Sequence, residues 1–257
     1  MRKFFEDFFD SENIFVRGEI SAENLRVINQ RRMPDGIKSC IVWLIPYYTG
    51  AHPERNVSLY ALSKDYHLYA KELFARLYEK AKAEFPSEEF YGFCDNSPIN
   101  DVAAAVTAGL GALGKNRLLI NEKYGSYVFI GCLLTSLEPY EPKEEQVKHC
   151  IGCGKCLKSC DFLCGKRDYC LSELNQRKVL DEKELSVVKS QKIRWGCDIC
   201  QEVCPMNKDV PITPIEFFRK DIIENVSATL IEEMPDDEFK ERAYAWRGKK
   251  TILRNIE

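Results

Sequence analysis

The chain has 257 residues, 45% apolar and 30% charged, the balance of a folded globular protein with a sizeable core and not of a disordered chain. A formal net charge of −3 gives no global attraction to nucleic acid and leaves that role to local basic patches. The longest apolar run, Cys40 to Tyr48, is strand-sized and well short of the ~18 residues of a membrane span, and the acids within Met1-Arg-Lys-Phe-Phe-Glu-Asp-Phe-Phe-Asp10 spoil a secretory signal.

Ile37 to Tyr48 reads as a buried strand. From Tyr66 to Glu84, apolar side chains recur at Tyr66, Tyr69, Ala70, Leu73, Phe74, Leu77, Tyr78 and Ala81, the spacing of an amphipathic helix. Phe90-Tyr-Gly-Phe-Cys94 reads as a short strand, and Asp101 to Ala108 as an Ala-rich helix ended by Gly109. Arg117-Leu-Leu-Ile120 and Ser126 to Leu134 are expected to form a hairpin around Asn121-Glu-Lys-Tyr-Gly125. These elements predict an α/β (α+β layered) N-terminal domain with mixed strand directions over residues 1–140. Glu138-Pro-Tyr-Glu-Pro-Lys-Glu-Glu-Gln146 reads as an exposed connection, and residues 213–257 as a short helical C-terminal segment. Neither G-x-G-x-x-G nor a P-loop lysine motif occurs, so Rossmann-type dinucleotide binding is unsupported.

Twelve cysteines are the abnormal number. Cys40, Cys94 and Cys132 are scattered and expected to pack as small buried residues, while the other nine crowd between Cys150 and Cys204. With no signal peptide expected, they point to a reducing, cytoplasmic setting and to metal or redox chemistry in place of a disulfide framework. Cys150-Ile-Gly-Cys153-Gly-Lys-Cys156-Leu-Lys-Ser-Cys160 has the bacterial ferredoxin spacing, in which three close thiolates hold one 4Fe–4S cluster and the fourth reaches another. Cys197-Asp-Ile-Cys200-Gln-Glu-Val-Cys204-Pro205 supplies most of a second run. In the crossed arrangement, cluster one takes Cys150, Cys153, Cys156 and Cys204. Cluster two takes Cys160, Cys197, Cys200 and one thiolate from between. Cys164 and Cys170 are the candidates; Cys170 is preferred because Cys164 follows Cys160 on the same helix turn, whereas Cys170 lies beyond the turn at Gly165. Zinc also uses C-x2-C pairs, but two sets of this spacing are poor zinc grammar. Asp161, where such runs usually carry proline, bears on the turn and the cluster potential and not on ligation. Residues 141–212 are therefore expected to form a bacterial ferredoxin-like domain with two 4Fe–4S clusters. Such clusters pass single electrons and select no substrate, so the α/β domain must hold what accepts the electrons.

Three further segments stand out: Tyr60-Ala-Leu-Ser-Lys-Asp-Tyr-His67, Phe93-Cys-Asp-Asn-Ser-Pro98 and Thr107-Ala-Gly-Leu-Gly-Ala-Leu-Gly-Lys-Asn116. Singly, each has an ordinary reading: Asp65 as a helix cap, His67 as a surface residue, Asp95 in an Asx-turn before Pro98, and glycines as turn formers. Further along lie Gly125-Ser126, Cys170-Leu-Ser-Glu-Leu174, Gly196-Cys-Asp-Ile-Cys-Gln-Glu-Val-Cys-Pro-Met-Asn207 and Leu253-Arg-Asn255. In this order, from about Ile37 to Glu257, the set resembles the epoxyqueuosine reductase family. The resemblance implies a cobalamin-dependent iron–sulfur oxidoreductase of queuosine biosynthesis and tRNA processing. Its reaction would turn the epoxide of epoxyqueuosine, carried at a tRNA wobble position, into the alkene of queuosine. It also implies cobalamin cradled by the α/β domain, an external electron donor such as a flavodoxin or ferredoxin, and Cys170 as the eighth ligand. Asp95 falls on the family's proton donor, expected to be held protonated by burial beside the corrin, and Lys115, Asn116, Ser126 and His67 fall on candidate cofactor contacts.

The pattern departs from the family at a shorter N-terminal segment, at Asp101 where the family has Glu, and at the expected lack of a helical-repeat extension after Asn255. Arg31-Arg32, Arg194 and Arg247-Gly-Lys-Lys250 are left as the basic surface for tRNA. Two alternatives follow: a related corrinoid iron–sulfur reductase with a different substrate, or a two-cluster electron-transfer protein without catalytic activity.

Overall fold

The computed structural model describes residues 2–140, 150–160 and 170–257. The chain divides into two compact units, 1–46 with 69–153, and 47–68 with 154–257. The first unit contains the helix α1 (Lys3–Ser11) and the strands β1 (Arg17–Ser21) and β2 (Ser39–Pro46), followed by the body of α2 (Tyr66–Glu84) and β3 (Phe90–Cys94). After these come α3 (Asp101–Thr107), the short strands β4 (Ala112–Leu113) and β5 (Leu119–Ile120), and β6 (Val128–Thr135).

Four strands form one sheet in the order β1-β2-β6-β3, and every neighbouring pair is antiparallel, in place of the expected mixed directions. The strand–helix–strand signal of β2, α2 and β3 is real, because both strands run antiparallel to β6 and so parallel to each other. They are not neighbours, however: β6 is inserted between them, a split β-α-β arrangement. The expected hairpin fails for the same reason. β6 is drawn into the sheet centre, and β5 pairs instead with β4, Ala112 opposite Ile120 and Leu113 opposite Leu119. Asn121 to Gly125 is still a closed turn, with Gly125 N–H donating to Asn121 O at 2.9 Å. The buried Asn121 side chain donates to Leu110 O and accepts from the N–H groups of Lys123 and Tyr124.

All eight residues of β2 are buried, which explains a continuous apolar run in an antiparallel sheet: both faces are covered. Cys40, Val42 and Leu44 face Ala104, Ala105, Leu110, Cys132 and Leu134. The alternate residue Trp43 points to the other face, its ring centroid 4.7 Å from that of Phe9 and 5.7 Å from that of Phe74. Opposite Trp43 in the register is Gly131, where a Cβ would collide with the indole. Cys40, Cys94 and Cys132 are all buried, as small packing residues would be.

The second unit has the short helices α4 (Lys155–Lys158) and α5 (Leu171–Leu174), the capped helix α6 (Glu182–Ser190), then α7 (Ile199–Glu202), α8 (Ala228–Glu233), α9 (Asp236–Lys240) and α10 (Lys249–Ile256). A reciprocal capping box between Asp181 and Glu184 starts α6. The C-terminal segment is helical in pieces: Ser227 caps α8, Pro235 precedes α9, and Gly248 at φ 84° precedes α10. Trp195 is fully buried and its carbonyl accepts Ser58 N–H at 2.8 Å.

Gly131→Ala is expected to cost about 1–3 kcal/mol by overpacking, read as a lower denaturant midpoint; an unchanged midpoint would mean that the Trp43 ring can move aside.

Candidate functional site

Six of the expected cluster thiols lie in the second unit. Cys156 is within α4, and Cys160 follows that helix and is buried. Cys170 is the N-cap of α5. Cys197 and Cys200 stand on either side of the start of α7, with Cys204 just past its end, and α4 packs against α7. Cys150 and Cys153 belong to the first unit, with Gly152 between them at φ 72°, a left-handed conformation suited to a tight loop. Cys164 lies outside the described residues.

Burial pushes the Cys197 thiol up to about 12, and Asp198, Cys170 and Cys200 push it the same way. Cys197 therefore has Cys200 of its own segment and Cys170 of a segment distant in sequence as electrostatic neighbours. A thiol so reluctant to ionise becomes a ligand when a metal centre supplies the opposing charge, and an all-thiol donor set suits an iron–sulfur cluster. Among the described residues no three His, Cys, Asp or Glu side chains form a single-ion site. In a cubane each thiolate goes to a different iron, so the ligands surround the cluster and do not meet at a point.

The Cys197–Cys200 loop is held from beneath by Asp198, which is 1% exposed. Its carboxylate accepts from Ser58 Oγ–H at 2.7 Å, Leu59 N–H at 2.9 Å and Gln201 Nε2 at 3.1 Å, and lies 3.2 Å from Arg55 Nη2. Arg55 also pairs with Glu202. Gly196, at φ 71°, lies so close to Ser58 that any side chain would clash with it. Sequence reading missed Asp198 and Arg55; the acid between two ligand-spaced cysteines was the one available signal.

Asp95 follows β3 in the first unit. Asp95 and Asn96 both take left-handed φ values, 61° and 50°, turning the chain sharply. Arg32 Nη1 donates to Asn96 Oδ1 at 2.7 Å and tethers the turn. Asp95 is exposed in the protein, and the partly buried carboxyl is that of Asp101 at the start of α3. Burial raises the Asp101 pKa above 3.8, and the Asp95 charge adds to the shift. Ser97 Oγ lies 2.5 Å from Asp101 Oδ1 and 2.8 Å from Ile99 O while accepting Ile99 N–H. One hydroxyl proton cannot serve both acceptors, and a proton on Asp101 completes the set.

The other expected contacts are engaged within the protein or set apart from this turn. Lys115 is exposed and donates to Gly152 O at 3.0 Å, gripping the Cys150–Cys153 loop. Asn116 Oδ1 accepts Leu118 N–H at 3.3 Å, closing its own turn. Ser126 is buried. His67 belongs to the second unit, exposed and paired through Nδ1 with Asp65, which also accepts its N–H as a helix cap would. Of the basic residues, Arg194 donates to Val188 O and Lys189 O, Lys249 pairs with Asp236, and Arg247 lies over the Trp246 ring at 3.8 Å.

A family model described as epoxyqueuosine reductase QueG, DUF1730, matches residues 28–96, the stretch that ends in the Asp95 turn. The epoxyqueuosine reductase of Leadbetterella byssophila is 31% identical over 245 residues, 89% of this chain and 79% of that protein. The structure of epoxyqueuosine reductase from Streptococcus thermophilus is similar with a TM-score of 0.81 and 25% identity, over 98% of this chain and 78% of that one. A crystal structure of epoxyqueuosine reductase with an epoxyqueuosine-modified tRNA-Tyr stem loop shares the fold at a TM-score of 0.77 and 24% identity, over 99% of this chain and 79% of that one. The chain spans about half the length of other curated relatives, the match covering 53% of the Listeria monocytogenes protein.

The raised pKa of Asp101 has a measurable consequence. Because its pKa is raised on folding, its contribution to stability is complete below 3.8 and is lost as pH rises through the folded value. Asp101→Asn, which removes the charge, is expected to gain stability over the parent at pH ~7 and to lose that advantage towards pH ~4; equal denaturant midpoints at both would mean that Asp101 ionises freely.

Proposed function

The chain belongs to the epoxyqueuosine reductase family, and on that premise we propose that it is an iron–sulfur, cobalamin-dependent reductase acting on epoxyqueuosine carried by tRNA. The observation that carries this reading is the junction that sets the Cys197 segment against the helix that Cys170 opens, Cys197 packing on Leu171 and Leu174 and Asn175 pairing with Gly196. In the proposed organisation, residues 1–140 hold cobalamin and substrate. Residues 141–212 hold two 4Fe–4S clusters, one on Cys150, Cys153, Cys156 and Cys204 and the other on Cys160, Cys170, Cys197 and Cys200. Residues 213–257 complete the chain as a helical segment.

Taking the epoxide oxygen off as water and leaving an alkene consumes two electrons and two protons, with both carbon–oxygen bonds broken. The clusters, when bound, supply the electrons one at a time from an external donor such as a flavodoxin or ferredoxin, and cobalamin supplies the strongly reducing centre that meets the epoxide. The chain's own part is the proton. In this reading Asp95, exposed at a tethered turn, protonates the alkoxide left by ring opening, and the raised pKa of nearby Asp101 suits it to proton handling. Lys115 and Asn116 present polar groups in the loop before β5, Lys115 also holding the Cys150–Cys153 loop. No helix among the described residues is long and apolar enough to cross a membrane.

The internal engagement of Arg194 and Lys249 thins the basic surface for tRNA and favours, as a second reading, the same chemistry on a smaller substrate.

After anaerobic reconstitution with iron and sulfide, the protein is expected to bind cob(II)alamin with a changed axial signature in electron paramagnetic resonance and to reduce epoxyqueuosine in tRNA. Asp95→Asn should retain iron and cobalamin and lose turnover by about 100-fold or more; retained turnover removes Asp95 from that role. Tight cobalamin binding without turnover on tRNA supports the second reading. Full iron loading with no cobalamin binding supports an electron carrier.

A further inference from the structure

We propose that Asn255 is a positioning residue for the second cluster, fastening together the two chain segments that deliver Cys170 and Cys197. The proposal rests on the cluster assignment made above. Asn255 lies on α10 and is completely buried. Its Nδ2 donates to Asn175 O at 2.7 Å and to Arg194 O at 2.9 Å, and its Oδ1 accepts from Arg254 Nη2 at 2.8 Å and Nε at 3.2 Å. Both amide protons and both lone pairs are thus used, which only a carboxamide at this position can do.

The two carbonyls it joins are placed to matter. Asn175 closes α5, the helix that Cys170 opens, and Arg194 precedes Trp195, Gly196 and Cys197. The buried Asn175 side chain continues the link: its Nδ2 donates to Gly196 O at 2.8 Å, and its Oδ1 accepts Gly196 N–H at 3.1 Å. The side chain therefore pairs with Gly196 as a neighbouring strand's backbone would, one residue before Cys197. Arg254 reinforces the same junction by donating to Arg177 O at 2.8 Å and Lys178 O at 3.1 Å. The apolar cluster around it is small: Leu171, Leu174 and Val188, with Leu180, Val187 and Cys197 packed on them. Hydrogen-bond geometry, more than a large core, sets the separation of these two thiols. Cys156, assigned to the other cluster, sits on α4.

The test is anaerobic reconstitution of the full chain, followed by iron determination and a redox titration read by electron paramagnetic resonance. Asn255→Asp keeps the shape and turns two donors into repelled acceptors. It is expected to keep the parent's helical circular dichroism and one cluster signal. The second cluster is expected to be absent, so that iron falls from about eight to about four per chain, or present with altered g-values and a shifted midpoint potential. Glu232→Ala, exposed on α8, should match the parent throughout. If Asn255→Asp does not fold, Asn175→Ala, which removes the pairing to Gly196, provides the same selective readout. Two cluster signals at parental potentials, or equal loss of both in a folded variant, overturn the proposal while leaving the cluster assignment standing. A parent chain that takes up no iron overturns the assignment and the proposal with it.

Discussion

A carboxylate with almost no access to water is costly unless every lone pair is answered, and the second unit is arranged around one such group. Asp198 lies between two thiols that the proposed chemistry needs, and its partners come from residues 55–59 on one side and Gln201 on the other. Removing one partner of a buried charge pair costs about 3–5 kcal/mol, far more than the pair adds over an apolar filling. Such an interaction therefore contributes definition more than strength. With Asp198 anchored, and with Gly196 tight against Ser58, the Cys197–Cys200 loop has one register available to it.

The first unit sets its partly buried carboxyl among different partners. Asp101 has no cation among its closest partners, only Ser97 and the Cys132 thiol, and burial raises its pKa. Burial raises the pKa of both acids, and at Asp198 a guanidinium opposes that rise. What separates them is a guanidinium: Arg55 reaches Asp198, and Arg32 reaches only Asn96 in the turn above Asp101.

Local pattern carried much of the fold. The helix Tyr66–Glu84 and the strand Phe90–Cys94 fall where periodicity places them, because each buries one stripe against its own neighbours. The edge strand Arg17–Ser21 has no apolar alternation and leaves no such trace, and α1 was read only as a failed signal sequence although its Phe5, Phe8 and Phe9 are buried. Strand order was not legible, since the placement of β6 between β2 and β3 depends on a slot at Gly131 for an indole 88 positions earlier in the chain, at Trp43. The thiols of the candidate site were legible because ligand spacing is local. Asn175, Asp198 and Arg55 were not, for their partners lie far away in sequence and each alone is an ordinary polar residue.

Both units are assembled from separated stretches of chain, and that has a bearing on biogenesis. Residues 47–68 leave the ribosome early, yet Trp195, Asp198 and Arg242, whose bonds they complete, are made much later. At ~5–20 residues per second the interval is roughly 10–30 seconds, during which Ser58, Leu59 and Leu62 lack these later partners. The thiols around Cys197 gain their last support only when Asn255 is made. A nascent chain stalled before α10 would therefore display Cys170, Cys197 and Cys200 without the residue that braces their segments.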